Sequence, residues 1–66
     1  MNDLYSYDRY KGYDIYIKSY NDMFYGDIYL NGTCFLEDVK SNSGRGCLSK
    51  CEDWIDKEEE DRWKFY

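Results

Sequence analysis

The sequence predicts an α+β fold, a three-stranded antiparallel sheet followed by one C-terminal amphipathic helix packed on one of its faces. Three observations carry this. Apolar and polar residues alternate through YDIYIK at 13–18 and again through 24–30. Asn31-Gly32 stands directly after the second run. Cys47, Leu48, Cys51, Trp54 and Ile55 then recur at the spacing of one helix face.

Residues 1–11 are polar and tyrosine-rich, with Tyr5, Tyr7 and Tyr10 set among Asp3, Asp8 and Arg9 and no clear period. They read as an arm or an edge segment, and whether they add a fourth strand stays open. The sheet is expected over residues 12–37. In its first strand Tyr13, Ile15 and Ile17 point one way and Asp14, Tyr16 and Lys18 the other, the two-residue period of a half-buried strand. A turn is expected at residues 19–22. In the second strand Phe24, Gly26, Ile28 and Leu30 share a face, opposite Tyr25, Asp27 and Tyr29.

Asn-Gly is the strongest short hairpin signal because a type I′ turn needs positive φ at both central residues. It predicts a third strand at residues 33–37, with Leu30 facing Thr33, Ile28 facing Phe35, and Tyr29 facing Cys34 on the opposite side. Ile28, Leu30 and Phe35 then join Ile15 and Ile17 in the core, while Tyr16, Tyr25 and Tyr29 share the outer face. Residues 38–46 carry Ser41, Asn42, Ser43, Gly44 and Gly46 and read as a loop, with an N-cap supplied from residues 41–43. The helix is expected over 43–61. Three adjacent glutamates oppose the macrodipole near its end, an arrangement that favours fraying there. No repeat and no linker divides the chain, so residues 1–66 are read as one domain.

Nine tyrosines and fourteen carboxylates share 66 residues without a histidine or a proline. Tyrosine suits interfaces because its ring covers a large apolar area while its hydroxyl keeps a polar partner, and it loses little entropy on ordering. The net charge of −5 disfavours direct nucleic-acid binding, which draws most of its affinity from phosphate contacts, and favours basic protein partners. No apolar run is long enough for a membrane span, and Met1-Asn2-Asp3 lacks the basic and apolar regions of a signal peptide. The odd count of three cysteines suits a reducing compartment, so a cytoplasmic location is expected, that of the host cell if the chain is phage-encoded.

The residues argue against catalysis. Cys47 follows Gly44-Arg45-Gly46 at a helix start, where a thiol pKa can fall, but the chain has no histidine to act as its base. The reading of Cys47 as a small buried hydrophobe is preferred. SNSGRG lacks the spacing and the Gly-Lys-Ser/Thr ending of a phosphate-binding loop. Three cysteines and no histidine fall short of a structural zinc set, and no calcium-type loop occurs, so no cofactor and no metal are expected.

Lys11-Gly12-Tyr13-Asp14-Ile15-Tyr16-Ile17, the run 24–30, Asn31-Gly32 and a helix holding Cys51-Glu52-Asp53-Trp54-Ile55-Asp56 resemble small strand-strand-strand-helix proteins of phages and mobile elements. The likeness spans residues 11–57. In size, acidity and lack of a catalytic set the chain is also similar to phage anti-CRISPR proteins, many of which are small acidic inhibitors that occupy nucleic-acid or protospacer-motif sites. This resemblance implies a non-enzymatic inhibitor that mimics nucleic acid on a basic surface of a host defence protein. Those inhibitors share no motif, so no residue's role carries over. The candidate contact residues, chosen from this sequence, are Asp14, Tyr16, Tyr25, Asp27 and Tyr29 on the sheet and Glu52, Asp53, Asp56, Glu58, Glu59 and Glu60 on the helix. The alternative is a regulatory or assembly module that homodimerises or docks on a partner protein through its tyrosine face.

Overall fold

Every hairpin of the sheet turns on two residues, ten positions apart: Lys11-Gly12, Asn21-Asp22 and Asn31-Gly32. All six residues have positive φ, 52° and 85°, 50° and 62°, 53° and 81° in that order. This is the type I′ pattern, whose backbone twist matches that of the strands it joins. The computed structural model describes residues 3–64, with side chains considered for 4–62. It contains β1 (Asp3–Tyr10), β2 (Tyr13–Tyr20), β3 (Met23–Leu30), β4 (Thr33–Ser41) and α1 (Gly44–Lys64). The strands form an antiparallel meander in the order β1-β2-β3-β4.

The sheet therefore has four strands rather than three. Residues 3–10, read from sequence as an arm or an edge segment with a fourth strand left open, pair along β2 with Tyr7 opposite Tyr16 and Tyr10 opposite Tyr13. A bulge between Leu4 and Ser6 interrupts their alternation, which is why no period was legible there. The turn expected over 19–22 closes to Asn21-Asp22, with Tyr20 opposite Met23.

β4 departs most from expectation. Leu30 faces Thr33 and Tyr29 faces Cys34 as predicted, but Ile28 lies opposite Leu36, not Phe35, and Gly26 opposite Val39. Each interval inserts one extra residue into β4. Both Phe35 and Leu36 consequently pack against the core, and Val39 and Ser41 are turned inward and buried. The two offsets extend the strand to Ser41 through what reads as a polar loop. Asp38, at φ 59°, lies in the second offset, and its amide N–H donates to Asp27 Oδ1 at 3.1 Å.

Tyr13, Ile15, Ile17, Ile28 and Val39 form the sheet side of the core, and Cys47, Cys51 and Ile55 the helix side. Gly26 lets the helix approach: a Cβ there would lie 2.5 Å from Cys51 Sγ and 3.1 Å from Cys47 Sγ. Cys47 Sγ–H donates to the Val39 carbonyl at 3.1 Å. Ser43 caps the helix, its Oγ accepting the Gly46 N–H at 3.0 Å and its carbonyl the Cys47 N–H at 2.9 Å. Gly44 sits against the ring of Tyr5, which meets Phe24 edge-on at 4.9 Å. The helix runs past the expected end at 61 to Lys64, so the glutamate run is helical, with Arg62 3.9 Å from Glu59. Trp54 also departs from expectation. Placed by spacing in the buried stripe, it is 46% exposed.

Candidate interaction surfaces

The helix covers one face of the sheet and leaves the other open. That open face is built by strand alternation: residues opposite the buried Tyr13, Ile15 and Ile17 are Asp14, Tyr16, Lys18 and Tyr20, and those opposite Gly26 and Ile28 are Tyr25, Asp27 and Tyr29. β1 adds Tyr7 and Arg9, cross-strand partners of Tyr16 and Asp14. Three phenols touch in a row across three strands. The Tyr7 and Tyr16 ring centroids are 5.0 Å apart, and Tyr16 meets Tyr29 edge-on at 5.7 Å. Tyr7 was outside the sequence-level set because its strand was not recognised. The Lys11-Gly12 turn, twenty positions before Asn31-Gly32, is the signal that locates it.

Asp14, Lys18 and Asp27 on this face are already paired. Tyr7 donates its hydroxyl to Asp14 Oδ1 at 2.6 Å, a bond that raises the phenol pKa, and Arg9 Nε lies 3.9 Å from the same oxygen. Lys18 Nζ is 3.1 Å from Asp27 Oδ2 and 3.7 Å from Asp38 Oδ1, and Asp27 foremost raises its pKa. Among the outward residues placed from sequence on the two central strands, Lys18 is the one cation beside Asp14 and Asp27. The structure adds Arg9 from β1, and Lys40 from β4 opposite Tyr25, so Arg9, Lys18 and Lys40 stand beside Asp14, Asp27 and Asp38. Asp27 is occupied by the β4 offset and by Lys18, with its side chain 15% exposed.

The helix candidates lie on the other side of the sheet, so the two sets do not adjoin. They are also divided among themselves. Asp56 Oδ1 accepts from Lys11 Nζ at 2.6 Å and from Tyr10 Oη at 2.9 Å, and these bonds, Lys11 first, lower its pKa. The bond to Asp56 is the main cause that raises the Tyr10 and Lys11 pKa values, and Glu52 adds to it at Tyr10 and Glu59 at Lys11. Asp53 instead shares a shallow groove with Lys50, Trp54 and Lys57, whose ammonium lies 5.6 Å from the Trp54 ring centroid. Glu58 and Glu59 are near enough for their charges to act on Tyr13, whose buried hydroxyl has no partner of hydrogen-bond geometry among the described residues. Burial first, then the field of Glu59, raises the pKa of that phenol.

Cys47 and Cys51 are fully buried, and desolvation raises both thiols, Cys51 to about 12. They are protonated at neutral pH, the opposite of what a thiolate nucleophile needs. The amides of Ser43 and Gly46 are taken by Ser41 and Ser43, so SNSGRG works as a helix cap. Among the described residues no cluster of three or more His, Cys, Asp or Glu is placed to hold a metal ion, and no helix is long and apolar enough to cross a membrane. No family model, curated protein or solved structure matches the chain.

Proposed function

We propose that the chain is a non-enzymatic protein-binding module whose contact surface is the open tyrosine face. The supporting observation is the ring row Tyr7–Tyr16–Tyr29, half-exposed on three hydrogen-bonded strands and flanked by charges that already have partners. Such a face offers aromatic area on a rigid frame, and its ion pairs need not be desolvated singly when it is covered. A capture experiment from bacterial lysate tests this. A protein held by the wild-type chain should be lost when Tyr7, Tyr16 and Tyr29 are together replaced by serine, with the fold checked by circular dichroism. Equal capture by both chains overturns the reading.

A second reading rests on residues 58–61, four consecutive carboxylates on the last turns of a helix whose macrodipole is negative at the same end. In this reading the chain inhibits a host nucleic-acid-binding protein, such as a defence nuclease of the CRISPR type, by presenting carboxylates to its basic site. Phosphate mimicry then belongs to the helix end alone, since Asp14 and Asp27 are compensated on the sheet. Charge reversal at Glu58, Glu59 and Glu60 should abolish inhibition and its salt dependence. Inhibition that survived reversal, or that left nucleic acid bound to the target, ends it.

A further inference from the structure

The open face of the sheet is nearly symmetric in chemistry about Tyr16. Along β2 its outward residues run Asp14, Tyr16, Lys18, one carboxylate and one ammonium equidistant from the central ring. Along β3 they run Tyr25, Asp27, Tyr29, with Asp27 opposite Tyr16, and on β1 Tyr7 is opposite Tyr16 on the other side. We infer that this face pairs with the same face of a second copy about a two-fold axis that crosses the strands through Tyr7, Tyr16 and Asp27. The inference rests on the reading of the tyrosine face as a protein contact surface and names its occupant.

The axis follows from charge. A two-fold contact is isologous: a residue that meets a second residue of the partner copy is met there in return, and only residues on the axis meet their own image. Reversing β2 about Tyr16 sets Asp14 of one copy over Lys18 of the other, twice. The same operation sets Tyr25 over Tyr29 and brings Tyr7 and Tyr16 each against its own image. Like charges meet on the axis at Asp27, which is tucked against Lys18 at 3.1 Å and the Asp38 amide at 3.1 Å, and beside it at Asp38, whose carboxylate lies 3.7 Å from the same Lys18. Two chains of net charge −5 repel over most of their surface. The open face, where Arg9, Lys18 and Lys40 offset Asp14, Asp27 and Asp38, lets them approach. Both helices then stand outside a two-sheet sandwich, with the sheets about 10 Å apart.

Size sets the strength. Four strands of eight or nine residues span about 26 by 19 Å, on the order of 500 Å² a side. A total near 1,000 Å² is at the low end for specific interfaces, so the dimer is concentration-dependent.

The test is sedimentation velocity on the full chain across a concentration series. The wild type should associate to a dimer, and Tyr16→Ser should shift the midpoint by about tenfold or more while leaving the circular dichroism unchanged. Asp14→Lys and Lys18→Asp should each be monomeric alone, because each sets like charges across the axis. Mixed in equal amounts, they should form a heterodimer. A mixture that stays monomeric while the wild type dimerises overturns this axis. A wild-type chain monomeric throughout overturns self-pairing itself, whereas the lysate comparison above separately judges the face as a contact surface.

Discussion

Lys11 Nζ lies 2.6 Å from Asp56 Oδ1, joining the first hairpin turn to the middle of the helix across 45 positions of sequence. Tyr10 donates to the same oxygen at 2.9 Å. β1 meets the helix little elsewhere, so this pair of bonds fixes the edge strand's end against it.

The clamp has a pH window. Asp56 is held below its ordinary value of 3.8, so its contribution is complete above 3.8 and disappears as pH falls through the lowered folded value. Tyr10 and Lys11 are raised from 10.0 and 10.5, so theirs is complete below those values and is lost as pH rises through the raised ones. Asp56→Asn should lower the melting temperature at pH 7 and narrow its gap to the wild type at acid pH. A gap that stayed constant down through the folded Asp56 value would remove the clamp from the stability account.

Asp27 holds the second β4 offset through the Asp38 amide. Asp27→Asn keeps an acceptor for that amide, whereas Asp27→Ala does not, so alanine should cost about 1 kcal/mol more in urea unfolding. Amide exchange at Asp38 should quicken in the alanine variant first.

Gly26→Ala places a Cβ against the Cys51 and Cys47 sulfurs in a filled core. The expected loss is about 1–3 kcal/mol. Cys51→Ala should be less damaging in that background than in the wild type, because the methyl fills space the sulfur vacates. Additive losses in this cycle would place the strain elsewhere.

Thiol labelling should separate the cysteines. Cys34 is exposed and should alkylate in the folded chain, while Cys47 and Cys51 are buried, with raised pKa values, and should react only on unfolding. Mass spectrometry after a brief exposure to iodoacetamide counts them. Rapid labelling of Cys47 in the native state would restore the nucleophile reading.

Much of the fold was legible because local signals agreed with it. Ile15, Ile17 and Ile28 alternate cleanly and are buried, Asn31-Gly32 makes its turn, and Ser43 caps the helix from within the predicted 41–43 window. The misses share a cause. Bulges in β1 and β4 break the two-residue period that identifies a strand, and the other two turns use Lys11-Gly12 and Asn21-Asp22, weaker signals than Asn-Gly. Trp54 falls at a core spacing but lies at the margin of the stripe, where Lys57 meets its exposed ring.

The sequence by itself determined which residues alternate, where the helix starts and which phenols share a strand face, because these follow from local backbone periods and caps. Tertiary structure alone decided which charges have partners. Arg9 and Lys18 come from two strands to pair with Asp14, Asp27 and Asp38 on the open face, and Lys11 crosses the fold to take Asp56. Electrostatic pairing depends on distance in space, which strand register and the helix's seat on Gly26 set and local sequence does not.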